Sequence, residues 1–107
     1  MTDRSERPSP RHVLRTQRDR ILSLLSERGA HNVRLFGSLA RGEDDTQSDI
    51  DLLVELRDTG STAAELLTAL GLSEELSEIV GSRVDVVTVR TLRDEVRKAA
   101  LAEAVPL

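Results

Sequence analysis

The chain contains no cysteine, no tryptophan and no tyrosine, and Phe36 is its single aromatic residue. Without cysteine there is no disulfide, no thiolate nucleophile and no zinc-thiolate centre. With a single aromatic ring, a single-stranded nucleic acid finds no extended surface on which to stack its bases. Long apolar runs are missing as well. The longest unbroken stretch of Ala, Leu, Ile or Val is the four residues Ala99 to Ala102, against the ~20 that a membrane-spanning helix needs. Arg4, Arg7 and Arg11 are followed by no apolar segment, so the start of the chain does not read as a secretory signal. No membrane partner and a cytoplasmic location are therefore expected.

What remains is 107 residues with an aliphatic core supply of 38% hydrophobic residues, enough for one domain. Fifteen basic against nineteen acidic side chains give a net charge of −4. The imbalance is uneven: residues 1 to 28 carry seven Arg and four acids, the rest eight bases and fifteen acids. An acidic body is a poor match for long nucleic acids, whose binding rests on Lys and Arg meeting phosphates. A small molecule that arrives with a cation, or another protein, suits it better.

Residues 1 to 10, with two prolines and nothing apolar beyond Met1, read as a flexible arm ahead of a domain spanning 11 to 107. Ser9 can cap a helix that Pro10 opens, and Leu14, Ile21, Leu22 and Leu25 share a face until Gly29. Val33 and Leu35 alternate with polar neighbours up to Phe36, a short strand leading into a brief helical turn at Ser38 to Arg41. After the polar turn GEDDTQS, the run DIDLLVEL at 49 to 56 reads as a second strand. Thr62 with Glu65 suggests a capping box, and Leu66, Leu67, Leu70, Leu76, Ile79 and Val80 an apolar stripe with a break near Gly71. RVDVVTV at 83 to 89 is a third strand, and a last helix is expected from Thr91, boxed by Asp94, towards Pro106. The order predicts a small α/β domain with helices covering a three- to four-stranded sheet.

Three acids interrupt the apolar pattern. Asp49 and Asp51 stand two apart on a strand, so they share a face with Cα atoms ~6.6 Å apart, while Ile50, Leu52 and Val54 face the other way. At that separation and an effective dielectric of 20 they repel by about 2.5 kcal/mol, a cost that a cation offsets. Mg²⁺ prefers carboxylate oxygens and is commonly held by one or two of them plus substrate phosphates. Asp85 lies mid-strand between Val84 and Val86. With the third strand beside the second, all three acids converge, and Asp85 either joins the metal or takes a proton from an attacking hydroxyl. His12, on a polar helix, and His31, in a turn, read as surface residues.

GSLARG, residues 37 to 42, follows the first strand. Gly37 admits close approach of a ligand to the backbone, Ser38 offers a hydroxyl and an amide, and Arg41 a charge-assisted contact to phosphate oxygens. Gly37, Ser38, ten residues, then Asp49, Ile50, Asp51 resembles the signature of the DNA polymerase beta nucleotidyltransferase superfamily. FGSLARGEDDTQSDIDLLVEL followed by RVDVVT is similar to the minimal nucleotidyltransferase antitoxins paired with HEPN toxins. The resemblance implies a polymerase beta palm-like fold. It implies that Gly37 and Ser38 hold the nucleoside triphosphate, that Asp49 and Asp51 bind Mg²⁺, and that Asp85 is the third catalytic carboxylate. The implied reaction moves AMP from ATP to a tyrosine hydroxyl of a HEPN toxin and silences it.

The chemistry of the residues agrees with such a transfer, which needs charge neutralisation and in-line positioning rather than a covalent protein nucleophile. At 107 residues the acceptor is expected to bring its own binding surface, with Arg11, Arg15 and Arg18 as docking candidates on the first helix. Two other readings share these residues. One is an antitoxin that masks its partner without catalysis, and the other an aminoglycoside-type nucleotidyltransferase.

Overall fold

A computed structural model describes residues 9 to 57 and 60 to 107. The arm expected over residues 1 to 10 lies, for residues 1 to 8, outside the described residues. Helix α1, Pro10–Glu27, begins as its sequence demands: Ser9 accepts from the His12 amide at 3.1 Å and Pro10 occupies the first turn. Val13, Leu14, Ile21 and Leu25 form its buried face. Strand β1, Ala30–Phe36, leads through Gly37 into the single-turn helix α2, Ser38–Arg41. Strand β2, Ile50–Leu56, is followed by helix α3, Thr62–Val80, and strand β3, Val84–Thr88. A 3₁₀ turn at Val89–Thr91 precedes helix α4, Asp94–Glu103, and a two-residue strand β4, Val105–Pro106.

The sheet runs β3-β2-β1-β4. β1 is antiparallel to both β2 and β4, while β2 and β3 are parallel, with α3 as their crossover. Ile50, Leu52 and Val54 of β2 and Val84 and Val86 of β3 point into one core with α1 and α3. The alternate residues of these strands, Asp51 and Asp85 among them, face the other side of the sheet.

Several expectations need correction. The α3 cap is Ser61, which accepts from the Ala64 amide at 3.1 Å, and the helix passes Gly71 without a break. Its inward face is Glu65, Ala69, Leu72 and Leu76, so Leu66, Leu67 and Leu70 stand 48%, 69% and 53% exposed. Glu65 is not a capping partner: it is buried and accepts from the Thr88 hydroxyl at 2.9 Å. The last helix starts three residues later than expected, because Thr91 turns its hydroxyl to Thr88 and closes the 3₁₀ turn instead. Finally, Arg11 does not project for docking: it binds Asp44 and the Leu39 carbonyl, tying the loop after α2 to α1.

The outer edge of β3 is covered by α3. Ser73 Oγ bonds both the N–H and the C=O of Val86, and Ser77 Oγ does the same for Val84. Four helical residues rise ~6 Å and two strand residues ~6.6 Å, so serines at i and i+4 meet alternate strand residues in register. An edge strand that would otherwise present free backbone groups is thereby fixed in place, and with it Asp85.

Candidate active site

The parallel register of β2 and β3 sets Asp51 directly beside Asp85, at the ~4.8 Å spacing of neighbouring strands. Asp49, just ahead of β2, lies next to this pair. The two aspartates that the sequence placed on separate strands are brought together here. Burial first, and then the nearby charges of Asp85, Asp49 and Glu103, together push the Asp51 carboxyl up from 3.8 to about 6 against the opposing pull of Arg41. Such a crowded oxygen set fits a hard divalent cation, which removes the repulsion that the protein alone leaves in place. The set is not gathered into a finished cage: among the described residues no three His, Cys, Asp or Glu side chains form a group able to hold a metal ion. Asp49 instead leans towards Arg83, whose Nε lies 3.6 Å from its Oδ2.

Gly37 closes over the acids from β1. Its φ of +75° is available to glycine at little cost, and a Cβ there would lie 3.1 Å from Asp51 Cγ and overlap Oδ2. The backbone therefore passes against the carboxylate at a distance no side chain permits. Ser38 begins α2 half-buried, and its carbonyl accepts from the Glu43 amide at 2.9 Å. Arg41, at the end of α2, is held by Glu43 at 2.5 Å and by Glu103 at 3.0 Å. All six residues singled out in the sequence thus belong to one end of the sheet.

Two neighbours were not foreseen. Glu103 comes from the end of α4 and accepts from the Gly37 amide at 2.9 Å. No local pattern marks it, since a glutamate in the last turn of an amphipathic helix is ordinary in sequence. Arg83 precedes β3 and reaches Asp49 only because β3 lies beside β2. A cleft of about 750 Å³ opens next to Asp49, lined by Pro10, Val13, Gln47, Val80 and Arg83, a size common for small-molecule sites. His12 and His31 are both exposed, as expected, but His31 lies in β1 opposite Glu55 and not in a turn. No helix among the described residues is long and apolar enough to cross a membrane.

The sequence profile described as nucleotidyltransferase domain matches residues 14 to 107. The protein adenylyltransferase MntA of Thermococcus cleftensis is 38% identical over 77 residues, 72% of this chain and 74% of that protein. A solved structure of a candidate minimal nucleotidyltransferase superposes with a TM-score of 0.75 at 41% identity, over 95% of this chain and 99% of its own. A toxin-antitoxin crystal structure with AMP-PNP gives a TM-score of 0.67 at 26% identity, over 82% of this chain and 69% of its own.

Proposed function

The chain belongs to the nucleotidyltransferase domain family, and from that premise we propose that this enzyme transfers AMP from ATP to a tyrosine hydroxyl of a partner HEPN toxin, neutralising it as an antitoxin. The observation that carries the reading is the pairing of Asp51 with Asp85 across β2 and β3, directly under Gly37. The relative named MntA is a protein adenylyltransferase, and a structural neighbour is a toxin-antitoxin assembly with an ATP analogue. Both support a nucleotide donor and a protein acceptor. With ATP as donor, the reaction belongs to the cytoplasm. We take residues 11 to 107 as the catalytic domain, which Ser9 and Pro10 join as the cap and first residue of α1.

In this reading Asp49, Asp51 and Asp85 hold Mg²⁺. Held there, the ion would supply neutralisation of phosphate charge and Lewis-acid assistance at the phosphoryl group. Asp49 gives up Arg83 when it turns to the site. The Gly37 and Ser38 amides and the Ser38 hydroxyl bind phosphate oxygens, and Arg41 adds a guanidinium to them. These contacts fix the triphosphate so that the acceptor oxygen meets the α-phosphorus in line with the departing pyrophosphate. Asp85, exposed at the open face, is the acid placed to take the proton of the acceptor hydroxyl as the new P–O bond forms and the bond to pyrophosphate breaks.

The test is the intact mass of the neighbouring gene's product after co-expression with this chain, and separately with an Asp49→Asn, Asp51→Asn double variant. One or more added AMP groups with the native chain alone are expected. An unmodified partner that co-purifies equally with both forms refutes transfer and leaves a masking antitoxin.

A further inference from the structure

Two of the groups assigned above to the nucleotide's phosphates are already held by a carboxylate of the chain itself. The Gly37 N–H donates to Glu103 Oε1 at 2.9 Å, and Arg41 Nη1 donates to Glu103 Oε1 and Oε2 at 3.2 and 3.0 Å. A backbone amide and a guanidinium converging on one oxyanion is the donor set that suits a phosphate oxygen equally well. The Gly37 amide and the Arg41 guanidinium hold the Glu103 carboxyl below the usual carboxylate range, so it stays an anion in mildly acidic solution. Its charge also adds to the crowding around Asp51.

We propose that Glu103 stands in for a nucleotide phosphate on Gly37 and Arg41, and that its side chain must swing away before the triphosphate binds, so that Glu103 sets the affinity for the nucleotide. The proposal rests on the nucleotidyltransferase reading and adds to it a residue that competes with the substrate. Only the side chain has to move. The chain beyond α4 is anchored by β4 on β1, by the Leu107 amide on the Val33 carbonyl at 3.1 Å, and by Arg18 Nε on the Leu107 carbonyl at 2.9 Å. Arg41 keeps Glu43 as a second partner on release, which holds its guanidinium near the site. The Glu103 side chain already has a path outward, being about a quarter exposed. A residue that merely braced the Gly37 loop would act the other way: losing it would weaken nucleotide binding.

The experiment titrates the full chain and its Glu103→Ala and Glu103→Gln variants calorimetrically with Mg·ATP and with Mg·tripolyphosphate, which has no nucleoside. Transfer to the partner is measured alongside. Glu103→Ala is expected to bind both ligands about tenfold more tightly, the worth of one net hydrogen bond to a charged group. Glu103→Gln, which keeps an acceptor for Gly37, should gain less. The KM for ATP should fall in step with the binding constant. Equal or weaker binding by folded variants, with the native chain still transferring AMP, overturns the competition and makes Glu103 a positioning residue. If neither the native chain nor the variants bind either ligand or modify the partner, the nucleotidyltransferase reading falls and takes the proposal with it. Should the variants fail to fold, carbon-13 spectra of the native chain decide. The Glu103 carboxyl resonance should move to that of a solvated glutamate as Mg·tripolyphosphate binds, and saturation that leaves it unmoved refutes the proposal.

Discussion

Asp51→Asn should make the metal-free protein more stable while removing its activity. Asp51 titrates at about 6 instead of 3.8, chiefly because of burial and next because of Asp85 and Asp49. An acid whose folded-state value is raised destabilises the fold once it ionises. The cost is absent below about pH 4, grows between 4 and 6, and is complete above 6. The full difference corresponds to roughly 3 kcal/mol at 1.36 kcal/mol per pH unit, and water at the half-exposed carboxylate reduces it to about 1–2 kcal/mol. For a domain of this size that is an increase in melting temperature of roughly 4–10 °C. The chain has no Trp or Tyr, so unfolding is followed by circular dichroism at 222 nm, in EDTA, at pH 7.5 and 4.5. The variant should melt higher at pH 7.5, with most of the gain gone at pH 4.5. Adding Mg²⁺ should raise the native protein and leave the variant unchanged. A gain of equal size at both pH values, or none at 7.5, refutes the account of Asp51 as an electrostatically crowded metal ligand.

Other consequences follow from particular contacts. Gly37→Ala puts a methyl group against the Asp51 carboxylate at φ +75°, and should cost about 1–3 kcal/mol and abolish ATP binding in calorimetry. Ser73→Ala and Ser77→Ala each strip an amide and a carbonyl of β3 of their partner, for about 1–2 kcal/mol in urea unfolding, and should lower kcat more than they raise KM because Asp85 loses its support. Thr88→Val leaves buried Glu65 without its hydroxyl donor and should cost about 1–3 kcal/mol by the same assay. Leu72→Ala, facing the core, should cost about 2–5 kcal/mol, whereas Leu67→Gln on the exposed face of α3 should stay within about 0.5 kcal/mol. Equal costs for these two would mean that α3 is rotated from the orientation described.

The local signals in the sequence were sufficient for most of the scaffold. Ser9 and Pro10 mark the start of α1 because capping and a fixed φ are properties of single residues and their neighbours. The Ile, Leu and Val content of DIDLLVEL and RVDVVTV placed the strands because β-branched and apolar side chains fit a pleated, packed surface. Gly37, Ser38, Asp49, Asp51 and Asp85 were likewise legible, since their spacing in the chain is the motif. Local pattern failed where two readings of one helix compete. α3 carries apolar residues around most of its circumference, so periodicity favoured Leu66, Leu67 and Leu70, whereas packing on the sheet buried Glu65, Ala69, Leu72 and Leu76. Register, too, was decided by the tertiary structure. That Asp51 faces Asp85 rather than a neighbouring valine depends on how β3 slides along β2, which Ser73 and Ser77 fix from the helix behind it. Glu103 is the clearest case: it reaches Gly37 and Arg41 only because β4 folds back on β1 and brings the end of α4 over the site. A sequence dictates what its residues can do with their near neighbours, and the fold alone determines which distant charges must share one small volume.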